Sequence, residues 1–118
     1  MQARTQYAVQ RKHQRYVFSE SLVIIRSFSP TDLRKSPGIC TEISEGGMSA
    51  IVAEPLKVGD DVELSFVIRP GNRIQLKAVV RNHHYFRHGF EFVGLSEENR
   101  ETIQAAFASL KPYEGGWY

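Results

Sequence analysis

Apolar and polar residues alternate with a period of two through most of the chain between residues 16 and 95, which is the signature of strands with one buried face. In "DVELSFVIR" (61 to 69), Val62, Leu64, Phe66 and Ile68 share a face, and in "RIQLKAVVRNHHY" (73 to 85), Ile74, Leu76, Ala78 and Val80 repeat the pattern. "YVFSESLVIIRSF" (16 to 28) is dense in β-branched and aromatic residues and predicts a long strand. "HGFEFVGL" (88 to 95) supplies a last strand through Phe90 and Phe92. Two short strands, "ICTEIS" (39 to 44) and "MSAIVA" (48 to 53), are joined through Glu45, Gly46 and Gly47, with the glycines expected to supply backbone angles that other residues resist. "SPTDLRKSPG" (29 to 38), with two prolines and small polar residues, predicts a connecting loop, and "EPLKVGD" (54 to 60) and "PGN" (70 to 72) predict turns.

Six short-spaced strands suit an antiparallel sheet closed into a small barrel, since closure removes the edges and gives the inward faces one core. The pattern then changes to helical spacing. Ser96 is a fitting N-cap, Glu97 and Glu98 stand in the first turn, and Ile103, Ala106, Phe107 and Leu110 form one apolar stripe expected to pack on the barrel. Pro112 and the glycines of "KPYEGGWY" stop the helix and leave a tail in which Tyr113, Trp117 and Tyr118 pack back or await a partner. The fold class is therefore all-β with a C-terminal helix: a six-stranded antiparallel barrel over 16–111, a basic N-terminal arm over 1–15, and a tail over 112–118.

At 118 residues the chain is one domain, large enough for a core without disulfides or structural metal. Charged residues make up 24% and hydrophobic residues 42%, which excludes a disordered chain. No apolar run approaches the roughly 18 residues of a membrane-spanning helix, and "MQARTQYAVQ" lacks a signal-peptide core, so the expectation is a cytoplasmic protein without membrane insertion. The single cysteine, Cys40, excludes an internal disulfide and reads first as a small buried hydrophobe. The net charge of +2 is unevenly placed. Arg4, Arg11, Lys12 and Arg15 are the only charged residues among the first 15, while the remaining 103 carry 11 positive and 13 negative groups. A basic arm on a near-neutral body suits a phosphate-bearing partner, polymer or small nucleotide, unless it serves only as a solvated tail.

Several chemistries fail on the spacing. His83, His84 and His88 are close in sequence, but strand neighbours point to opposite faces and no Cys, Asp or Glu stands among them, which argues against a metal site. "SEGGMSA" lacks the spacing and the lysine of a Walker loop. No nucleophile, base and orienting group stand at workable spacing, so the chain does not read as an enzyme, and nothing calls for a cofactor.

"RKHQR" (11 to 15), followed by "EISEGG" (42 to 47), resembles the signature of the PilZ domain family, an RxxxR segment paired with a (D/N)xSxxG segment. "ISEGGMSAIV", "PLKVGDDVELSFVI" and "HGFEFVGLSEENRETIQAAF" resemble the family's framework in its usual order, so the likeness covers nearly the whole chain. The resemblance implies a six-stranded β-barrel with a C-terminal helix and a bacterial receptor for the second messenger cyclic di-GMP. On that reading Arg11 and Arg15 match the first motif, and Ser44 and Gly47 the second. Glu42 stands where the family has Asp or Asn, one methylene longer, which bears on affinity more than on fold.

The residue types suit the ligand on general grounds. A guanidinium can fork onto a phosphate or onto the O6/N7 edge of guanine, so Arg11 and Arg15 can close over a dinucleotide held on the barrel. Ser44 offers a hydroxyl, Glu42 can accept from guanine N1 and N2 hydrogens, and Gly47 lets the ligand approach backbone with no Cβ in the way. Lys12, Gly46 and Arg81 are secondary candidates, Arg81 as a group that stacks on a base. The expected mechanism is ordering of the arm by the ligand, which presents a new surface to a downstream effector protein. One alternative is a PilZ-like protein-interaction module that has lost or weakened ligand binding, with Glu42 as its main argument. A nucleic-acid-binding barrel ranks behind both, because the body has no basic surplus and Phe66, Phe90 and Phe92 alternate as core residues.

Overall fold

The computed structural model describes residues 13–114. Six strands, β1 (Tyr16–Ser29), β2 (Asp32–Ile43), β3 (Gly47–Val52), β4 (Asp61–Arg69), β5 (Asn72–His84) and β6 (Arg87–Val93), precede the helix α1 (Glu97–Ala106) and a 3-10 turn, Phe107–Ser109. All strand pairs are antiparallel, and the sheet closes into a barrel in the order β1-β2-β3-β6-β5-β4, with β1 paired on one side to β2 and on the other to β4. Closure is what the alternating pattern calls for. Val62, Leu64, Phe66 and Ile68 of β4, Ile74, Leu76, Ala78 and Val80 of β5, and Phe90 and Phe92 of β6 all point into a single core and are buried.

The segment expected as a loop over 29–38 is mostly strand. β1 turns through Pro30 and Thr31 directly into β2, and the paired hairpin extends from Ser29↔Asp32 down to Tyr16↔Ile43. Pro37 is tolerated inside β2 because of where its nitrogen faces. Its carbonyl accepts from Ala53 N beyond the end of β3, whose register with β2 begins only at Gly38. The absent N–H therefore points to the side where the ladder has run out, not toward β1. Composition alone made this stretch look like a breaker.

The helix starts where its cap residues place it. Ser96 is extended (φ −69°, ψ 156°), and its hydroxyl accepts from Asn99 N at 3.0 Å, with Glu97 and Glu98 in the first turn. Ile103 and Ala106 are buried against the barrel, Phe107 and Leu110 pack on the same cluster, and the Phe107 ring stacks on Tyr16 at 4.2 Å. Beyond the helix the chain returns to β1: Val17 N donates to Lys111 O, Pro112 bridges Tyr16, and Tyr113 N donates to Arg15 O at 2.7 Å. The first residues of the expected tail are thus bonded to the strand that follows the arm. Arg11, Lys12, Trp117 and Tyr118 lie outside the described residues.

Candidate functional site

A β-bulge decides which way Glu42 points. Cys40 lies opposite Ala50 and Glu42 opposite Ser49, so two steps along β2 match one step along β3 and Thr41 is the extra residue. Strict alternation would put Glu42 on the inward face with Cys40. The bulge reverses the parity, so that Ile43 enters the core while Glu42 and Ser49 face outward, with Ser44 following Glu42 at a spacing of two. Glu42 is nevertheless only 3% exposed, and Arg15 Nη1 stands 2.7 Å from its Oε1. The approach is too oblique for a hydrogen bond: Glu42 Oε1 and Arg15 Nε are both buried without a hydrogen-bond partner. The Arg15 guanidinium also lies over the Tyr113 ring, 5.1 Å from its centroid.

The β2–β3 loop is a tight turn held from several directions. Ser44 N donates to Gly47 O at 2.8 Å, Gly46 N donates to Ser44 Oγ at 3.2 Å, and Phe92 N of β6 donates to Gly46 O at 2.9 Å. Neither glycine supplies an unusual backbone angle, contrary to the sequence expectation, and Gly47 is required for space. Neither is among the positive-φ residues, which among the described residues are Gly59, Gly71, Gly94 and Tyr85. A Cβ on Gly47 would run into the Phe90 carbonyl of β6, and one on Gly46 would lie 2.9 Å from His13 Cδ2. Gly47 thus permits a close approach between β3 and β6.

Arg15, Glu42, Ser44, Gly46, Gly47 and Arg81 line one open groove of about 460 Å³ across the outer face of the barrel. Arg81 Nε is held by Glu91 Oε1 at 2.5 Å, with both side chains largely exposed. Each described arginine of the groove is thus already matched by a carboxylate. His13, Ser49 and Asn82 also line it and were not singled out from sequence. His13 lies inside "RKHQR", where its nearness to two candidate arginines was a usable signal. Ser49 becomes visible only through the bulged register, and Asn82 through the β5–β6 pairing that sets it opposite Gly89. Past Arg15 the groove continues over Tyr113, Ile51 and the β5–β6 hairpin residues Tyr85 and Phe86.

The titratable groups nearby are tuned for structure. Burial pushes the Cys40 thiol up to about 12, and its Sγ donates to Glu42 O, so it is the inert core residue the sequence suggested. The Gln104 side-chain amide holds the Glu45 carboxyl below its ordinary value, with His13 and Arg100 adding to the effect. His88 is fully buried, accepts from Leu56 N through Nε2 at 2.9 Å, and faces Phe86 O through Nδ1 at 3.0 Å. Its ring stacks on His83 with centroids 4.4 Å apart. Both nitrogens being committed to backbone, His88 serves the core, and no group of metal-ligating side chains occurs among the described residues.

The PilZ domain family matches the chain over residues 9–109. Among curated proteins no match was found. Among solved structures the chain is similar to the PilZ domain of YcgR from Escherichia coli with c-di-GMP, at 14% identity and a TM-score of 0.67, over 86% of this chain and 91% of that one. It is similar to the PilZ domain of CeSA from a cellulose-synthesizing bacterium at 15% identity and a TM-score of 0.63, over 80% and 96% of the two chains. A third similarity is to the inhibitor of motility MotI/DgrA of Bacillus subtilis, at 16% identity and a TM-score of 0.65, over 85% of this chain and 51% of that longer one. At such identities the likeness carries the fold. No helix among the described residues is long and apolar enough to cross a membrane. With a family match spanning nearly the whole chain and the barrel, topology and terminal helix in agreement, the chain belongs to the PilZ domain family, a non-catalytic family of cyclic di-GMP receptor domains.

Proposed function

We propose that this domain binds cyclic di-GMP in the groove over β2, β3, β6 and β5, with Arg11 and Arg15 gripping phosphate and guanine, and Ser44 and Glu42 contacting the ligand from the barrel. The observation that carries the reading is the gathering of Arg15, Glu42, Ser44 and Gly47 on one open groove, where Arg15 Nε is buried without a hydrogen-bond partner. A buried guanidinium donor beside a carboxylate and a hydroxyl suits a ligand that offers both a phosphate oxygen and guanine N–H groups. The ring of His13 lies against Gly46 of the ligand loop, and binding of the ligand by Arg11 and Arg15 orders the arm into a surface for an effector protein. As a receptor for an intracellular messenger, the domain works in the bacterial cytoplasm.

A second reading has its own support. The 2.7 Å contact with Glu42 gives Arg15 an internal counterion that an incoming phosphate has to displace, which favours a module with weakened ligand binding. Calorimetric titration of the wild-type chain with cyclic di-GMP, GTP and a short oligonucleotide separates the readings. Binding of cyclic di-GMP alone supports the first, and its weakening at least tenfold in Arg11→Ala or Arg15→Ala follows from losing a charge-assisted hydrogen bond of about 1.5–3 kcal/mol. Tighter binding by Glu42→Asn supports the second, and silence toward cyclic di-GMP at millimolar concentration overturns the first. Amide exchange that slows over residues 4–16 at saturation reports the ordering of the arm.

A further inference from the structure

The ligand loop is held to an element that neither motif includes. Glu45, between Ser44 and Gly46, extends its carboxylate to α1, where Gln104 Nε2 donates to Oε2 at 2.9 Å and Arg100 Nη1 approaches Oε1 at 3.4 Å. Arg100 is itself steadied by Glu97, 3.8 Å away on the preceding turn. From the opposite side the His13 ring of the arm packs on Gly46. Arm, loop and helix therefore meet around one side chain, and the Glu45 carboxyl is lowered chiefly by the Gln104 amide of the helix, then by His13 of the arm and by Arg100.

We infer that Glu45 is a positioning residue: its clasp by Gln104 and Arg100 fixes the tilt of the Ser44–Gly47 loop, so that affinity for the ligand depends on two helix residues that do not touch it. This rests on the cyclic di-GMP reading of the groove. The loop's internal bonds, Ser44 N to Gly47 O and Gly46 N to Ser44 Oγ, set its shape, and the Phe92 N to Gly46 O bond ties one edge to β6. These bonds run within the loop and to β6, and the Glu45 side chain adds the tie to the helix. A shift of a fraction of an ångström in Ser44 and the neighbouring backbone is enough to spoil contacts made by short, rigid groups. The helix does not need the clasp to stay docked, because Ile103 and Ala106 are buried and Phe107 and Leu110 pack on the core. The link also gives a route outward, since a ligand that moves the loop pulls on the exposed side of α1.

The test uses the full chain as wild type, Glu45→Ala, Glu45→Gln, Gln104→Ala with Arg100→Ala, and the three alanine changes combined, each titrated with cyclic di-GMP and melted without it. Glu45→Ala and the helix double variant should each weaken binding on the order of fivefold, the combination should weaken it no further, and Glu45→Gln, which keeps an acceptor for Gln104, should restore most of the affinity. Melting temperatures should stay close to wild type throughout. Unchanged affinity with a lowered melting temperature would mean a purely structural contact and overturn the inference, as would additive losses. If wild type itself ignores cyclic di-GMP, the ligand reading fails, and amide exchange at Gly46 and Gly47 in the free protein then decides the clasp: faster in Glu45→Ala supports it, equal rates overturn it.

Discussion

Arg15 and Glu42 form an ion pair of unequal partners: the Arg15 side chain is 27% exposed and the Glu42 side chain 4%, with 2.7 Å between Nη1 and Oε1. Removing either member therefore leaves a different remainder. Arg15→Ala strands a buried carboxylate and should cost about 3 kcal/mol, whereas Glu42→Ala leaves a guanidinium that can turn to water and should cost about 1 kcal/mol. The Arg15→Ala, Glu42→Ala double variant should be more stable than Arg15→Ala alone. Urea unfolding of the three variants checks this, and equal costs for the two single changes would refute the asymmetry. The same comparison is needed to separate a loss of ligand contact from a loss of fold in any titration of Arg15→Ala.

Gly47 carries a different prediction from the one its motif suggests. Because a Cβ would meet the Phe90 backbone carbonyl, Gly47→Ala must part β3 from β6 at the start of their ladder, where Gly47 pairs with Glu91. A backbone atom cannot swing aside as a side chain can. The expected loss is about 2 kcal/mol or more of stability, seen as a lower denaturation midpoint even without ligand. An alanine variant as stable as wild type would return the role of Gly47 to the ligand.

His88 makes stability depend on pH. Its neutral ring accepts from Leu56 N at Nε2 and, as the Nδ1–H tautomer, donates to Phe86 O; burial is the main force that lowers its pKa below the ordinary 6.5. The unfolded chain, protonating near 6.5, then binds the proton more readily than the folded one. The stabilisation is complete above about pH 6.5 and is lost as pH falls below it toward the depressed native value, with a slope of up to about 1.4 kcal/mol per pH unit. Denaturation midpoints measured between pH 7.5 and 5.5 should fall for wild type and stay nearly flat for His88→Asn. Glu45 and Glu54, whose carboxyls are also lowered, act only at more acidic pH, near and below the ordinary 4.5.

Cys40 should be silent in the native protein. With the thiol buried and its pKa pushed up to about 12, thiolate is scarce at pH 8 and reagent has no access. A thiol-specific reagent should label one cysteine in urea and almost none in buffer. Rapid labelling of the folded chain would show that the β2 strand opens locally.

The sequence by itself determined the barrel and the helix, and it nominated candidate site residues. Period-two alternation in β4 and β5 and the Ser96 cap are local signals, and each needs only neighbours in the chain to be read. The resemblance to the PilZ signature paired "RKHQR" with "EISEGG". Only the tertiary structure decided the rest, because it depends on register. One extra residue, Thr41, turns Glu42 out of the core and against Arg15, and no periodicity foretells a single bulge. The strand character of 32–38 follows from pairing with β1, which outweighs Pro37 and Gly38. Gly47 is small because the Phe90 carbonyl arrives from a distant part of the chain, and Glu45 finds Arg100 and Gln104 only once the helix has docked. Local preference names the elements, while contacts between residues far apart in sequence choose the faces, and the candidate site is made of faces.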